Sequence, residues 1–211
     1  MTSAFAALSI GITALAVLLF AEWRDSLWLR GLSKTIASSC FLWLAIAWGA
    51  TESTYGILLL TGLAFCWLGD VLLIKPGQGV AFLSGIGAFL FGHLAYAYAF
   101  STLPLDLGRI ALAAVFAGVF AWRTLVWLQP HLDDAFMSRA VVAYCMAILT
   151  MLVVAAGAGW WPLAAATAFA VSDLSVARDR FIKPGFNNVV LGLPLYYFSQ
   201  VLMAYTLITQ S

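Results

Sequence analysis

The sequence predicts an all-α polytopic membrane bundle of eight transmembrane helices, and three observations predict it. Hydrophobic residues make up 64% of the 211 positions and charged residues only 9%, against roughly 45–50% and about 25% in an ordinary soluble domain. Apolar runs recur along the whole chain, whose mean hydropathy is +1.01. At about 20 apolar residues per crossing, eight spans use roughly 160 residues and leave about 51 for connections, so the expectation is a single integral membrane domain over 1–211. Third, the basic residues segregate to alternate loops, as set out below. A net charge of +1 offers neither a basic nucleic-acid surface nor an acidic tail; the expected partners are membrane lipid and a lipid-soluble substrate, with no nucleic acid.

Taken in order, the runs between charged or Gly/Pro breaks cover about 2–21, 35–50, 56–74, 81–100, 110–128, 139–156, 160–177 and 188–208. The first run lacks the basic flank of a secretory signal and is expected to remain as a span. The second and sixth are short, which leaves a re-entrant segment open for one of them. Cys40, Cys66 and Cys145 lie inside apolar runs without C-x-x-C spacing and read as core filler. Odd-numbered loops and their flanking turns hold Arg24, Arg30, Lys34, Lys75, Arg123, Arg139, Arg178, Arg180 and Lys183; even-numbered loops hold only Arg109. That split places the odd loops in the cytoplasm and both termini outside, with a bacterial cytoplasmic membrane as the expected location.

The two halves of the chain also echo each other. Ser33-Lys34 precedes Cys40 as Ser138-Arg139 precedes Cys145, and Asp70 follows as Asp173 does. Ile-Lys-Pro-Gly recurs at 74–77 and 182–185, and Phe91-Gly92-His93 has a counterpart in Phe198-Ser199-Gln200. Chance in a low-diversity apolar sequence and a parallel four-plus-four duplication both account for this; the second puts Asp70 and Asp173 at equivalent depth.

Ionisable side chains at bilayer depth are costly and point to function. Three lie clearly inside spans: Asp70, His93 and Asp173. Neither carboxylate has a basic neighbour within one turn of its own helix, so any partner must come from another. Brought together, two carboxylates share a proton, which yields one acid and one base; capping or snorkelling near the interface is the plain alternative. His93 with Tyr96, and Tyr197 with Gln200, share helix faces three residues apart and read either as interhelical glue or as a polar wall orienting substrate. His131, beside Pro130, Asp133 and Asp134, is expected to be solvated. No metal-ligand spacing is present, and no metal or cofactor is expected. Intramembrane aspartyl proteolysis would need Gly where Trp67 stands, and a phosphatidyl transferase would need more aspartates than the stretch from Asp173 to Arg178 supplies.

Leu68-Gly69-Asp70, His93 with Tyr96, Ser172-Asp173 followed by Arg180-Phe181, and Tyr197-x-x-Gln200 together resemble the YhhN-like lysoplasmalogenase family of eight-span membrane proteins. The resemblance runs from Lys34 to Gln200 and rests on order and spacing; the family's Lys-Pro is Lys34-Thr35 here. It implies hydrolysis of a lysoplasmalogen vinyl ether to a fatty aldehyde and a glycerophosphoethanolamine or glycerophosphocholine. It further implies Asp70 and Asp173 as catalytic groups, with Lys34, His93, Tyr96, Tyr197 and Gln200 binding or orienting the lysophospholipid. The chemistry suits two carboxylates: one protonates the β-carbon, and the other, ionised, stabilises the oxocarbenium ion and activates water. Which aspartate plays which part stays open. The competing reading is a small proton-coupled transporter or lipid flippase using the same aspartates.

Overall fold

The computed structural model describes residues 2–75, 77, 79–132 and 134–210. Pro76 of the recurring Ile-Lys-Pro-Gly string and Asp133 beside His131 lie outside the described residues. Eight long helices follow one another: α1 (Thr2–Trp23), α2 (Leu27–Ala47), α3 (Thr54–Leu72), α4 (Val80–Ser101), α5 (Leu107–Leu128), α6 (Ala135–Ala158), α7 (Trp160–Ala177) and α8 (Phe186–Thr209). A 3₁₀ turn, Gln129–His131, ends α5, and a π-helical turn, Arg178–Ile182, ends α7.

The helix starts use ordinary polar caps. Ser53 accepts the Gly56 amide at 3.0 Å, Asp106 the Arg109 amide at 3.1 Å, and Asp134 the Met137 amide at 3.0 Å, each satisfying a first-turn N–H that has no helical partner. Gly159 alone separates α6 from α7, at φ +143°; this left-handed backbone lets the chain reverse in one residue.

The sequence reading is corrected at the second span. α2 begins at Leu27, not near 35, so Arg30 and Lys34 are helical rather than part of the loop. Both are charged and so read as loop markers, but each is neutralised by acids close by. Arg30 pairs with Glu22 at 2.9 Å and Asp25 at 3.1 Å, and Lys34 with Asp70 at 3.3 Å. Both short runs lie in long continuous helices: α2 has 21 residues and α6 has 24.

Six helices, all but α2 and α7, are long and apolar enough to cross a membrane by length and composition. The other two carry much of the buried polarity. The exterior is the apolar side, with Val80, Leu107, Trp28 and Phe5 at least 74% exposed, while His93, Gln200, Ser38 and Asp70 are buried. Such an arrangement is stable in hydrocarbon and not in water, so this is an integral, multi-pass membrane protein.

Packing follows a scheme that repeats after four helices. α1 lies on α2 and α3 on α4, as α5 lies on α6 and α7 on α8; α2 meets α3 as α6 meets α7; and α8 packs on α2 as α4 packs on α6. The halves differ at two points: α1 and α3 both pack on α8, whereas neither α5 nor α7 packs comparably on α4. Glycines allow the closest approach, at the α3–α4 seam. A β-carbon on Gly62 would stand 2.5 Å from the Tyr96 ring, and one on Gly69 2.6 Å from the Phe89 ring. With little hydrophobic drive between helices in lipid, such small-residue seams supply the packing.

Candidate functional site

The two intramembrane aspartates sit near the ends of α3 and α7 that face the odd-numbered loops, Asp70 two residues and Asp173 four residues from the last helical residue. Each takes its partners from other helices. Asp70 Oδ1 meets Lys34 Nζ of α2 at 3.3 Å; its Oδ2 accepts from Ser38 Oγ of α2 at 2.5 Å and from Tyr196 Oη of α8 at 2.7 Å. Ser38 is one turn beyond Lys34, so both reach the same carboxylate from one helix face. Tyr197 Oη lies 3.2 Å from Ser38 Oγ and donates to the Lys34 carbonyl oxygen at 3.4 Å. The result is a carboxylate ringed only by donors, with a lysine cation among them, which is the environment of an anion.

Asp173 is held differently. Its Oδ2 accepts from Tyr144 Oη of α6 at 3.3 Å and stands 3.2 Å from His93 Nε2 of α4. No arginine or lysine pairs with it among the described residues. His93 is fully buried and stacks on Phe169 with ring centres 4.3 Å apart. Its Nδ1 is 2.7 Å from the Phe89 carbonyl oxygen. A carbonyl only accepts, so Nδ1 carries a proton, and Nε2 is the ring nitrogen left to face Asp173. The Nε2–Oδ2 approach is close, but without hydrogen-bond alignment. One aspartate thus stands with a lysine and two hydroxyl donors, and the other with a histidine and a tyrosine.

The partner helices obey the repeat. Asp70 on α3 draws on α2 and α8, and Asp173 on α7 draws on the corresponding α6 and α4. Both aspartates line one cavity of about 150 Å³, together with Lys34, Tyr144, Tyr196 and Arg180; the remaining wall is almost wholly apolar. Of the other residues expected at the site, His93 does not line the cavity itself but stands behind Asp173, Tyr144 and Phe169, which do. Tyr96 donates to Gln200 Oε1 at 2.6 Å behind the cavity, where the pair ties α4 to α8. Tyr197 borders a different apolar cavity, against α1 and α2. His131 is exposed in its 3₁₀ turn, and the three cysteines are buried and free.

Ser38, Tyr144, Tyr196 and Phe169 complete the site and were not legible as site residues in the sequence. Ser38 could have been found from its spacing to Lys34; Tyr144 and Tyr196 carry no local signal, because their partners are 29 and 126 residues away. Beside the cavity mouth, Asp179 in the π-helical turn accepts from the Gly185 amide at 2.9 Å and Asn188 Nδ2 at 3.1 Å. That clasp holds loop seven, while the Arg180 guanidinium lies 5.3 Å from the centre of the Phe82 ring. Among the described residues no group of three or more His, Cys, Asp or Glu gathers to hold a metal ion.

Residues 29–207 match the model of the YhhN family. The chain is similar to lysoplasmalogenase TMEM86A of Bos taurus, with 34% identity over 158 residues, 69% of this chain and 63% of the relative. It is also similar to lysoplasmalogenase TMEM86B of Homo sapiens, with 30% identity over 184 residues, 83% of this chain and 74% of the relative. The lysoplasmalogenase of Mycobacterium bovis is 35% identical over 138 residues, 61% of this chain and 51% of the relative. The chain therefore spans between about half and three quarters of the length of these curated relatives. No solved structure matches. Since the matched segment runs from the first turn of α2 to the last turn of α8, and so takes in both aspartates with every partner described above, the chain belongs to the YhhN family.

Proposed function

We propose that this protein hydrolyses the vinyl ether bond of a lysoplasmalogen to a fatty aldehyde and glycerophosphoethanolamine or glycerophosphocholine, with Asp173 as the proton donor. The observation that carries the reading is the unlike pairing of two carboxylates in one apolar cavity. The name borne by the relatives, lysoplasmalogenase, supports the substrate. Substrate enters from the membrane with its phosphate toward the odd-numbered loops, which we place on the cytoplasmic side. There Arg180 and its neighbours Arg178 and Lys183 offer positive charge.

In the proposed reaction the Asp173 carboxyl adds its proton to the β-carbon of the vinyl ether, and His93 and Tyr144 hold the carboxylate that results. The electron pair of the double bond forms the new C–H bond, and the ether oxygen donates into the adjacent carbon, giving an oxocarbenium ion. Asp70, kept ionised by Lys34, Ser38 and Tyr196, stabilises that cation across the cavity. Its lone pairs are already engaged, so it is a poor acceptor for a further proton. Water adds to the oxygen-bearing carbon and passes a proton back to the Asp173–His93 dyad, which restores the acid. The hemiacetal then breaks its C–O bond to yield aldehyde and alcohol.

The test is turnover in deuterated water, with vinyl ether and saturated alkyl ether lysolipids of equal length. The vinyl ether should give aldehyde carrying deuterium on its α-carbon, and the alkyl ether should bind and remain intact. Aldehyde without that label would sink carbon protonation; lipid or ion movement in liposomes without bond cleavage would favour a transporter.

A further inference from the structure

The cavity that holds the aspartates continues into a second one. Phe120 of α5 and Ala170 of α7 line both, so the two meet at that pair. From there the second cavity runs between α5 and α7, over the side of α6, to Arg109 and Trp160 at the far ends of the two helices. Its walls are regular stripes. On α5, Arg109, Ala113, Phe116 and Phe120 recur at three- and four-residue spacing, and on α7 so do Trp160, Leu163, Thr167 and Ala170, one face of each helix.

The groove exists because α5 departs from the repeat. Its counterpart α1 packs on α2 and on α8, but α5 packs substantially on α6 alone among the long helices, which leaves space on its α4 and α7 sides. Phe116 is 68% exposed and Leu112 62%, so the groove is open along its flank to the bilayer. Its lining is apolar apart from Thr167 and the far end, where the Arg109 guanidinium lies 4.8 Å from the Trp160 ring centre.

We propose that this groove is the binding site for the hydrocarbon tail of a single-chain lipid, and that Phe120 with Ala170 sets which tail lengths are accepted. The proposal rests on the lysolipid hydrolase reading for the identity of the headed end. The dimensions agree: Phe120 to Arg109 is eleven residues of helix, about 16 Å at 1.5 Å per residue, and one leaflet's tails fill about 15 Å, half of the roughly 30 Å hydrocarbon core. With the vinyl ether beside Asp173, the tail then descends past Ala170, one turn away, toward Arg109.

A non-cleavable alkyl ether lysophospholipid, sixteen carbons long with a photoactivatable diazirine at its terminal carbon, tests the groove on the full chain in nanodiscs. Adducts are expected at Ala113, Phe116 or Leu163, suppressed by excess unlabelled lysolipid, while adducts on the outer face of α1 resist competition. Competed adducts elsewhere, or none that compete, would overturn the proposal. In parallel, Ala170→Trp and Thr167→Trp should each lower the ratio of sixteen-carbon to eight-carbon vinyl ether turnover by roughly tenfold or more; an unchanged ratio in both folded variants counts against it. Because crosslinking does not need turnover, competed groove adducts without cleavage would overturn the hydrolase reading alone. Cleavage with adducts elsewhere would overturn the groove alone.

Discussion

His93 shows how one hydrogen bond sets the chemistry of a site. Its Nδ1 is spent on the Phe89 carbonyl, so only Nε2 can exchange a proton with Asp173. His93→Gln keeps a donor in that place but cannot relay a proton; kcat should fall by about 10²-fold or more with KM little changed, and full kcat in the variant would remove His93 from the relay. Asp173→Asn should lower turnover by roughly 10²–10⁴-fold in a protein that still elutes as a folded species. Lys34 has a different part. Lys34→Met strands the buried Asp70 anion, with an expected stability loss of about 3–5 kcal/mol. The double variant Lys34→Met, Asp70→Asn should recover much of that loss in detergent unfolding but no activity. A double variant as unstable as the single one would show that the pair is not the source of the loss.

Among the elements, the α3–α4 seam matters most, because it brings Asp70 and His93 to the same level from neighbouring helices. Gly69 lies directly before Asp70 and faces Phe89, whose ring packs edge-on against Phe169 and Tyr196. Gly69→Ala pushes that ring and, through it, the stack under His93 and the hydroxyl on Asp70. The expected cost is about 1–3 kcal/mol, and kcat should fall alongside stability. Gly87→Ala, on the same α4 but with open space where its β-carbon would go, is the matched control and should be silent in both measurements. The π-helical turn after α7 works similarly for loop seven, where Asp179 fixes Asn188 and the Gly185 amide.

For the whole molecule, the repeat explains why two carboxylates from distant parts of the chain reach one cavity, each braced by the same two helix positions of opposite halves. Symmetry makes the places equivalent and the side chains make them unlike: lysine, serine and tyrosine around one, histidine and tyrosine around the other. The cytoplasmic placement of the odd-numbered loops rests on charge alone. Single cysteines introduced at position 24 and at position 51 should therefore differ in reaction with an impermeant thiol reagent on intact cells, only the second being labelled. The native cysteines are buried and give little background. The reverse pattern would invert the topology.

Composition and the length of the apolar runs were enough to determine an eight-helix membrane bundle, because hydrocarbon admits few alternatives for a backbone whose polar groups must be satisfied internally. The same reasoning singled out Asp70, His93 and Asp173, since ionisable groups at that depth need a reason to be there. It misplaced the start of α2, where a hydropathy pattern cannot tell a solvated lysine from one neutralised by an aspartate 36 positions later. Only the tertiary structure decided which aspartate stands with Lys34 and which with His93. It alone brought Ser38, Tyr144 and Tyr196 to the carboxylates and left the gap beside α5. Those facts depend on contacts between helices far apart in sequence, and the periodicity of one helix shows which face is polar but not what meets it.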